Sequence, residues 1–154
     1  MNEPPTQNQS TANILNQFEF SPTIATSGQP QREQFADIAA AGYEVIINLA
    51  MPDHEHSIAD EGAIVTGLGM SYIHIPVPFD APGADHLVAF TGYMKTLQNH
   101  KVWVHCIVNA RVSAFFYRYL QQELGWSQEQ ATSPVLAQWL PTMDATWQRF
   151  ISVE

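Results

Sequence analysis

The chain has 154 residues, with 15 acidic against 6 basic side chains and a formal net charge of −9. That length fits one domain with a full hydrophobic core, and so negative a surface argues against nucleic acid or an anionic membrane as partner. The single cysteine excludes an internal disulfide, and no apolar run approaches the roughly 18 residues of a membrane span.

Residues 1–12 are polar, with Pro4-Pro5 and several amides, and read as a flexible arm ahead of a single domain over 13–154. The stretch from Met1 to Gln7 has neither a basic nor a hydrophobic region and does not read as a signal peptide; a cytoplasmic protein is expected. Ile14–Phe20 and Ile24–Thr26 are expected to pair as strands around the turn signal Ser21-Pro22. Ser27-Gly28-Gln29-Pro30 opens a helix with Pro30 in its first turn, and Gly42 stops it. Glu44–Leu49 is a strand without alternation, hence covered on both faces.

Met51–Ser57 is a polar loop. Ser57 is expected to cap a helix over 58–68, with Asp60 and Glu61 complementing the dipole of its first turn. Ser71–Ile75 is the next strand, and Pro76–Gly83 is a loop stiffened by prolines. Leu87, Phe90, Met94 and Leu97 share one face of a helix over 85–99. Val102, Trp103 and Val104 form a short buried strand, and Val112, Phe115, Phe116, Tyr119 and Leu120 line one face of a helix over 111–124 that Gly125 closes. Ser127 and Gln130 make a capping box, Ser133-Pro134 restarts the helix, and Pro141 interrupts it. Met143, Trp147, Phe150 and Ile151 form the stripe of a last helix. Strands alternating with helices predict a three-layer α/β/α sandwich with a mostly parallel sheet of about four strands.

In such sheets ligands sit beyond the carboxyl ends of the strands. There stands Cys106, between a strand and a helix, preceded by His105 and followed by Arg111. A helix N-terminus, its unpaired N–H groups and a guanidinium all favour a thiolate over the free thiol, whose pKa is about 8.5. The stretch reads as a nucleophile beside an anion cradle, against the plainer reading of a small buried hydrophobe.

His105-Cys106, Arg111 and Ser113 resemble the cysteine-dependent protein tyrosine and dual-specificity phosphatases. Thr26–Pro30, Ala41-Gly42-Tyr43 leading into Ile46–Leu49, and Tyr72–Val77 narrow the likeness to a bacterial branch of phosphatase-like domains of the DUF442 type, over about residues 20–124. The resemblance implies a cysteine-phosphatase-like fold and hydrolysis of a phosphomonoester, on phosphotyrosine, phosphoserine/threonine or a small phosphoester. It makes Cys106 the nucleophile and Arg111 the phosphate clamp, with the amides of Ile107, Val108, Asn109 and Ala110 around the phosphoryl oxygens. An aspartate protonates the leaving oxygen: Asp80 first, Asp85 second, the latter with a plainer reading as an N-cap. His105 tunes the thiolate from behind, and Ser113 bonds the sulfur.

The family places five residues between Cys and Arg, and here there are four, none of them glycine. Asn109 tolerates left-handed geometry and is the candidate to replace one glycine. Rhodanese-like sulfurtransferases use a Cys-x4-Arg loop, which keeps sulfur transfer open, as it does a non-catalytic phosphate-binding relative. No cofactor or metal is expected: Asp53-His54-Glu55-His56 reads as a solvated loop rather than a zinc site. His74 reads as structural and His86 and His100 as surface residues. The remaining bases form no second patch in the sequence, which disfavours polyphosphorylated substrates. The tryptophans near the C-terminus read as packing, with a homodimer face as the alternative.

Overall fold

The computed structural model describes residues 13–152; the arm expected over 1–12 lies outside them. The elements in chain order are β1 (Phe18–Ser21), β2 (Ile24–Ser27), α1 (Gln34–Ala40), β3 (Val45–Asn48), α2 (Glu61–Gly67), β4 (Ser71–His74), α3 (Ala84–Thr96), β5 (Val102–His105), α4 (Ala110–Leu124), α5 (Pro134–Trp139), a 3-10 turn (Leu140–Thr142) and α6 (Ala145–Ser152).

The sheet has five strands in the order β1-β2-β5-β3-β4. Four are parallel; β1 adds an antiparallel edge through its hairpin with β2. β5 is central, and its last residue His105 is in register with Ser27 on one side and Asn48 on the other. Its side chains alternate between two cores, as strand geometry requires. Val102 and Val104 face a core built with Phe90, Phe115, Phe116, Leu136 and Trp147. Trp103 faces a smaller one with Phe35, Ile38 and Val65 from α1 and α2. These are the two outer layers of the sandwich, and every residue of β3 and β5 is buried between them.

Local signals set the helix ends. Gly125 ends α4 at φ 70° and Gly42 follows α1 at φ 95°, where a Cβ is disfavoured. Ser133 caps α5, accepting from Leu136 N at 3.1 Å, with Pro134 in the first turn. Ser127 and Gln130 bond reciprocally as a capping box, both at 3.1 Å, but close a turn and not a helix.

Three expected boundaries move. α1 begins at Gln34 and not at Pro30, because Gly28 and Gln29 donate their N–H groups to Leu15 O (2.7 Å) and Ile107 O (2.9 Å), which holds that segment out of the helix. α2 begins at Glu61 with Asp60 at its N-cap position; Ser57 instead donates to Met51 O at 2.7 Å and closes the 51–57 loop. Asp85 lies in the first turn of α3, whose N-cap is Gly83, and His86 Nδ1 accepts from Gly83 N at 2.9 Å.

Candidate active site

Cys106 follows the central strand directly and is fully buried. The loop to α4 is short, so its backbone must turn sharply. Asn109 makes that turn in the left-handed region, at φ 72° and ψ 12°, the property for which its residue type singled it out.

Three consecutive loop carbonyls each meet a donor from outside the loop's own turn. Cys106 O accepts from His105 Nδ1 (3.0 Å), Ile107 O from Gln29 N (2.9 Å) and Val108 O from Asn16 Nδ2 (2.9 Å). In a trans peptide the N–H points opposite to the C=O. The N–H groups of Ile107, Val108 and Asn109 therefore turn away from these donors, and none has a protein acceptor among the described residues. Together with the first turn of α4 they form the kind of concavity that binds an anion. Gly28 is required behind the loop: a Cβ there would lie 2.5 Å from Ile107 O and 3.1 Å from Val108 Cα.

His105 leaves the strand on the opposite face from Cys106, towards α1 and α2. Its Nε2 donates to Glu61 Oε2 at 2.6 Å, with the ring 0% and Glu61 2% exposed. Its two ring nitrogens thus bridge a carboxylate of α2 and a carbonyl of the cysteine loop. Gln29 Nε2 donates to the other oxygen of Glu61 at 2.8 Å. Burial pushes the Glu61 carboxyl up, but the charge and hydrogen bond of His105, with the Gln29 amide, outweigh it and hold Glu61 below the ordinary carboxylate range. Burial and the Glu61 charge push nearby Tyr72 up to about 12, and its hydroxyl accepts from Asn48 Nδ2 at 3.0 Å. The sequence reading gives Glu61 the role of complementing a helix dipole in the first turn; packing of α2 on the sheet also puts it against His105, 44 residues away.

Arg111 is buried in the first turn of α4, 6% exposed. Its Nη1 donates to Val77 O at 2.7 Å and its Cζ lies 5.7 Å from the Phe79 ring centroid. The guanidinium thus sits between the cysteine loop and the loop after β4, its other N–H groups without a protein acceptor among the described residues. That loop is anchored again by Trp147, whose Nε1 donates to Phe79 O at 2.6 Å. Asp80 stands exposed in the same loop, next to the anchored Phe79, while Asp85 stands exposed on α3. Ser113 donates to Asn109 Oδ1 (3.4 Å) and accepts from Ser133 (2.7 Å), so its hydroxyl braces the loop at Asn109.

Beside the cysteine loop lies a cleft of about 710 Å³, bordered by Leu15, Gln29, Arg32, His56, Ile107 and Val108. Arg32 is engaged there by Asp60 at 2.8 Å. A second groove of about 770 Å³ between α3, α4 and α6 gathers Lys95, Arg118 and Arg149, three of the chain's six bases. This corrects the reading that no second basic cluster exists: the three are far apart in sequence and meet only through helix packing. Lys95 is already paired with Glu123 at 3.4 Å, and Arg118 donates to Phe150 O at 2.7 Å. Asp53, His54, Glu55 and His56 stay exposed on their loop, and among the described residues no group of three or more His, Cys, Asp or Glu is placed to hold a metal. His74 Nε2 bonds Ala50 O at 2.7 Å and His100 Nδ1 bonds Glu44 at 2.5 Å. No helix among the described residues is long and apolar enough to cross a membrane.

A mostly parallel sheet with a cysteine after its central strand, followed by a tight loop and a helix carrying a buried arginine, is an α/β fold of the cysteine-phosphatase-like kind. The solved structures agree. A candidate phosphatase of the DUF442 family from Shewanella putrefaciens CN-32 is 30% identical over 94% of this chain and 93% of that one, with a TM-score of 0.84. The chain belongs to this DUF442 family of phosphatase-like proteins. Tk-PTP in its active form shares the fold at 15% identity, over 88% of this chain and 93% of that one, TM-score 0.70. So does a cysteine-to-serine form of TpbA from P. aeruginosa in complex with pTyr, at 15% identity, 84% and 73% coverage and TM-score 0.62. No family model matches the sequence, and no curated protein matches it significantly.

Proposed function

We propose that the chain is a cysteine-dependent phosphatase that hydrolyses a phosphomonoester through a phosphocysteine intermediate. The observation that carries this is the loop itself: buried Cys106 followed by three backbone N–H groups without protein acceptors among the described residues and the guanidinium of Arg111. The Cys106 thiolate attacks phosphorus, and the bond to the leaving oxygen breaks. Asp80 donates the proton that the leaving oxygen takes. Water then attacks the phosphocysteine and gives its proton to the Asp80 carboxylate, releasing phosphate and the thiolate. The N–H groups of Ile107, Val108, Asn109 and Ala110, with Arg111, hold the non-bridging oxygens as charge redistributes. Ser113 acts on the sulfur through the loop residue it braces, and His105 through the Cys106 carbonyl.

One observation supports phosphotyrosine among the phosphomonoesters: the structural neighbour TpbA was solved with pTyr. The four-residue spacing favours one second reading, sulfur transfer, because a smaller cradle suits a persulfide.

The deciding measurement is hydrolysis of p-nitrophenyl phosphate between pH 5 and 8, without added metal and with vanadate as inhibitor. Turnover should be lost in Cys106→Ser and in Arg111→Ala, and fall far more in Asp80→Asn than in Asp85→Asn. The reverse order of the aspartates would reassign the acid. An inactive wild type that moves sulfur from thiosulfate to cyanide would establish the second reading, and one that only binds phosphate would mark a non-catalytic relative.

A further inference from the structure

A loop that turns its amides to one side ordinarily uses glycine, and none stands between Cys106 and Arg111. Among the described residues only two non-glycine positions have positive φ: Asn109 at 72° and Asn16 at 52°. They clasp each other. Asn16 Nδ2 donates to Val108 O at 2.9 Å, and Asn109 Nδ2 donates to Asn16 O at 2.8 Å. Asn109 Nδ2 also reaches Thr26 Oγ1 at 3.0 Å, and its Oδ1 accepts from Ser113.

Asn16 belongs to a strap across the back of the loop. Ile14 anchors the strap in the smaller core, Leu15 O accepts from Gly28 N at 2.7 Å, and Asn13 O accepts from Gln34 Nε2 at 3.4 Å. The strap is therefore held by the sheet and α1 independently of the loop it touches. Of the three donors that pin the loop carbonyls, Gln29 N is backbone and His105 is part of the cysteine motif. Asn16 is the one side chain supplied from elsewhere in the chain, 92 residues from its acceptor.

We propose that Asn16 is a positioning residue of the catalytic loop, resting on the phosphatase reading above. By holding the Val108 carbonyl it keeps the Asn109 N–H turned to the substrate's phosphoryl oxygens. Through its own carbonyl it holds the Asn109 side chain that maintains the left-handed turn. The clasp does for this short loop what glycines do for a longer one, by fixing a non-glycine backbone from outside.

The test uses Asn16→Gly, which keeps positive φ accessible and deletes only the amide, alongside Asn109→Gly and the double variant. Vanadate affinity, p-nitrophenyl phosphate kinetics and the thermal midpoint are measured on the full chain. Vanadate affinity and kcat/KM should fall roughly tenfold in Asn16→Gly, less than the loss on deleting an oxyanion donor outright, with the fall carried by kcat rather than KM and the thermal midpoint moving little. The double variant should lose less than the sum of the singles, because the two hydrogen bonds hold the same turn of the loop. Wild-type vanadate affinity and kcat/KM in folded Asn16→Gly would overturn the proposal, as would full additivity of the pair. If the wild type binds vanadate without turnover, the phosphatase reading fails, while the clasp is still judged by vanadate affinity. A wild type that binds no oxyanion overturns both.

Discussion

At the residue scale, Glu61 is the side chain whose surroundings differ most from its sequence context. Its charge is favoured by a ring that is itself held by the Cys106 carbonyl, so the pair ties α2 to the cysteine loop. Because the folded state lowers the Glu61 pKa, the unfolded chain binds its proton first as pH falls. The contribution is complete above the ordinary glutamate value of about 4.3 and is lost as pH drops through that value to the lower folded one. Urea denaturation of wild type should show this loss in acid, and Glu61→Gln should lose less stability across the same window. At neutral pH the variant should be less stable by about 1–3 kcal/mol, since a buried hydrogen bond to a carboxylate is lost. Equal acid slopes for the two proteins would mean that Glu61 is not the group responsible.

At the scale of elements, the loop after β4 is positioned by helices that the sequence alone does not connect to it. α4 reaches it through Arg111 and Val77 O, and α6 through Trp147 and Phe79 O. The Phe79 ring packs on Trp139 and Trp147 at 5.8 and 5.6 Å between centroids, so the tryptophans read as packing also fix the loop that carries Asp80. Trp147→Phe keeps most of the buried ring but removes the donor, at a cost of about 1–3 kcal/mol for the unpaired carbonyl. Its kcat should fall more for phenyl phosphate than for p-nitrophenyl phosphate, because the poorer leaving group depends more on protonation by Asp80. An equal fall for both substrates would separate Trp147 from the acid step.

At the scale of the whole molecule, a charge of −9 surrounds a site proposed to take a dianion. The field of the chain opposes its own substrate, and the cradle's attraction is local. Raising ionic strength from about 0.01 to 0.15 M shortens the Debye length from roughly 30 to 8 Å, which screens the distant acids more than the adjacent amides and Arg111. The kcat/KM for p-nitrophenyl phosphate should therefore rise a few-fold over that range, before high salt weakens the cradle itself. A steady decrease from the lowest salt onward would mean that the field at the site is positive despite the net charge.

The sequence by itself determined what depends on neighbours along the chain. The order of strands and helices, the cysteine after a buried strand, the glycine stops at 42 and 125 and the left-handed turn at Asn109 all follow from local periodicity and backbone preference. The helices expected to open at Pro30 and at Ile58 begin later, at Gln34 and Glu61, because tertiary hydrogen bonds at Gly28, Gln29 and Ser57 outweigh local capping signals. Only the tertiary structure decided which distant residues serve the loop: Glu61 on His105, Asn16 on Val108, Trp147 on Phe79, and the gathering of Lys95, Arg118 and Arg149. Each of these meetings is produced by layers packing across the sheet or by helices packing on one another. Helical and strand periods report which face of an element is buried, and leave open what it is buried against.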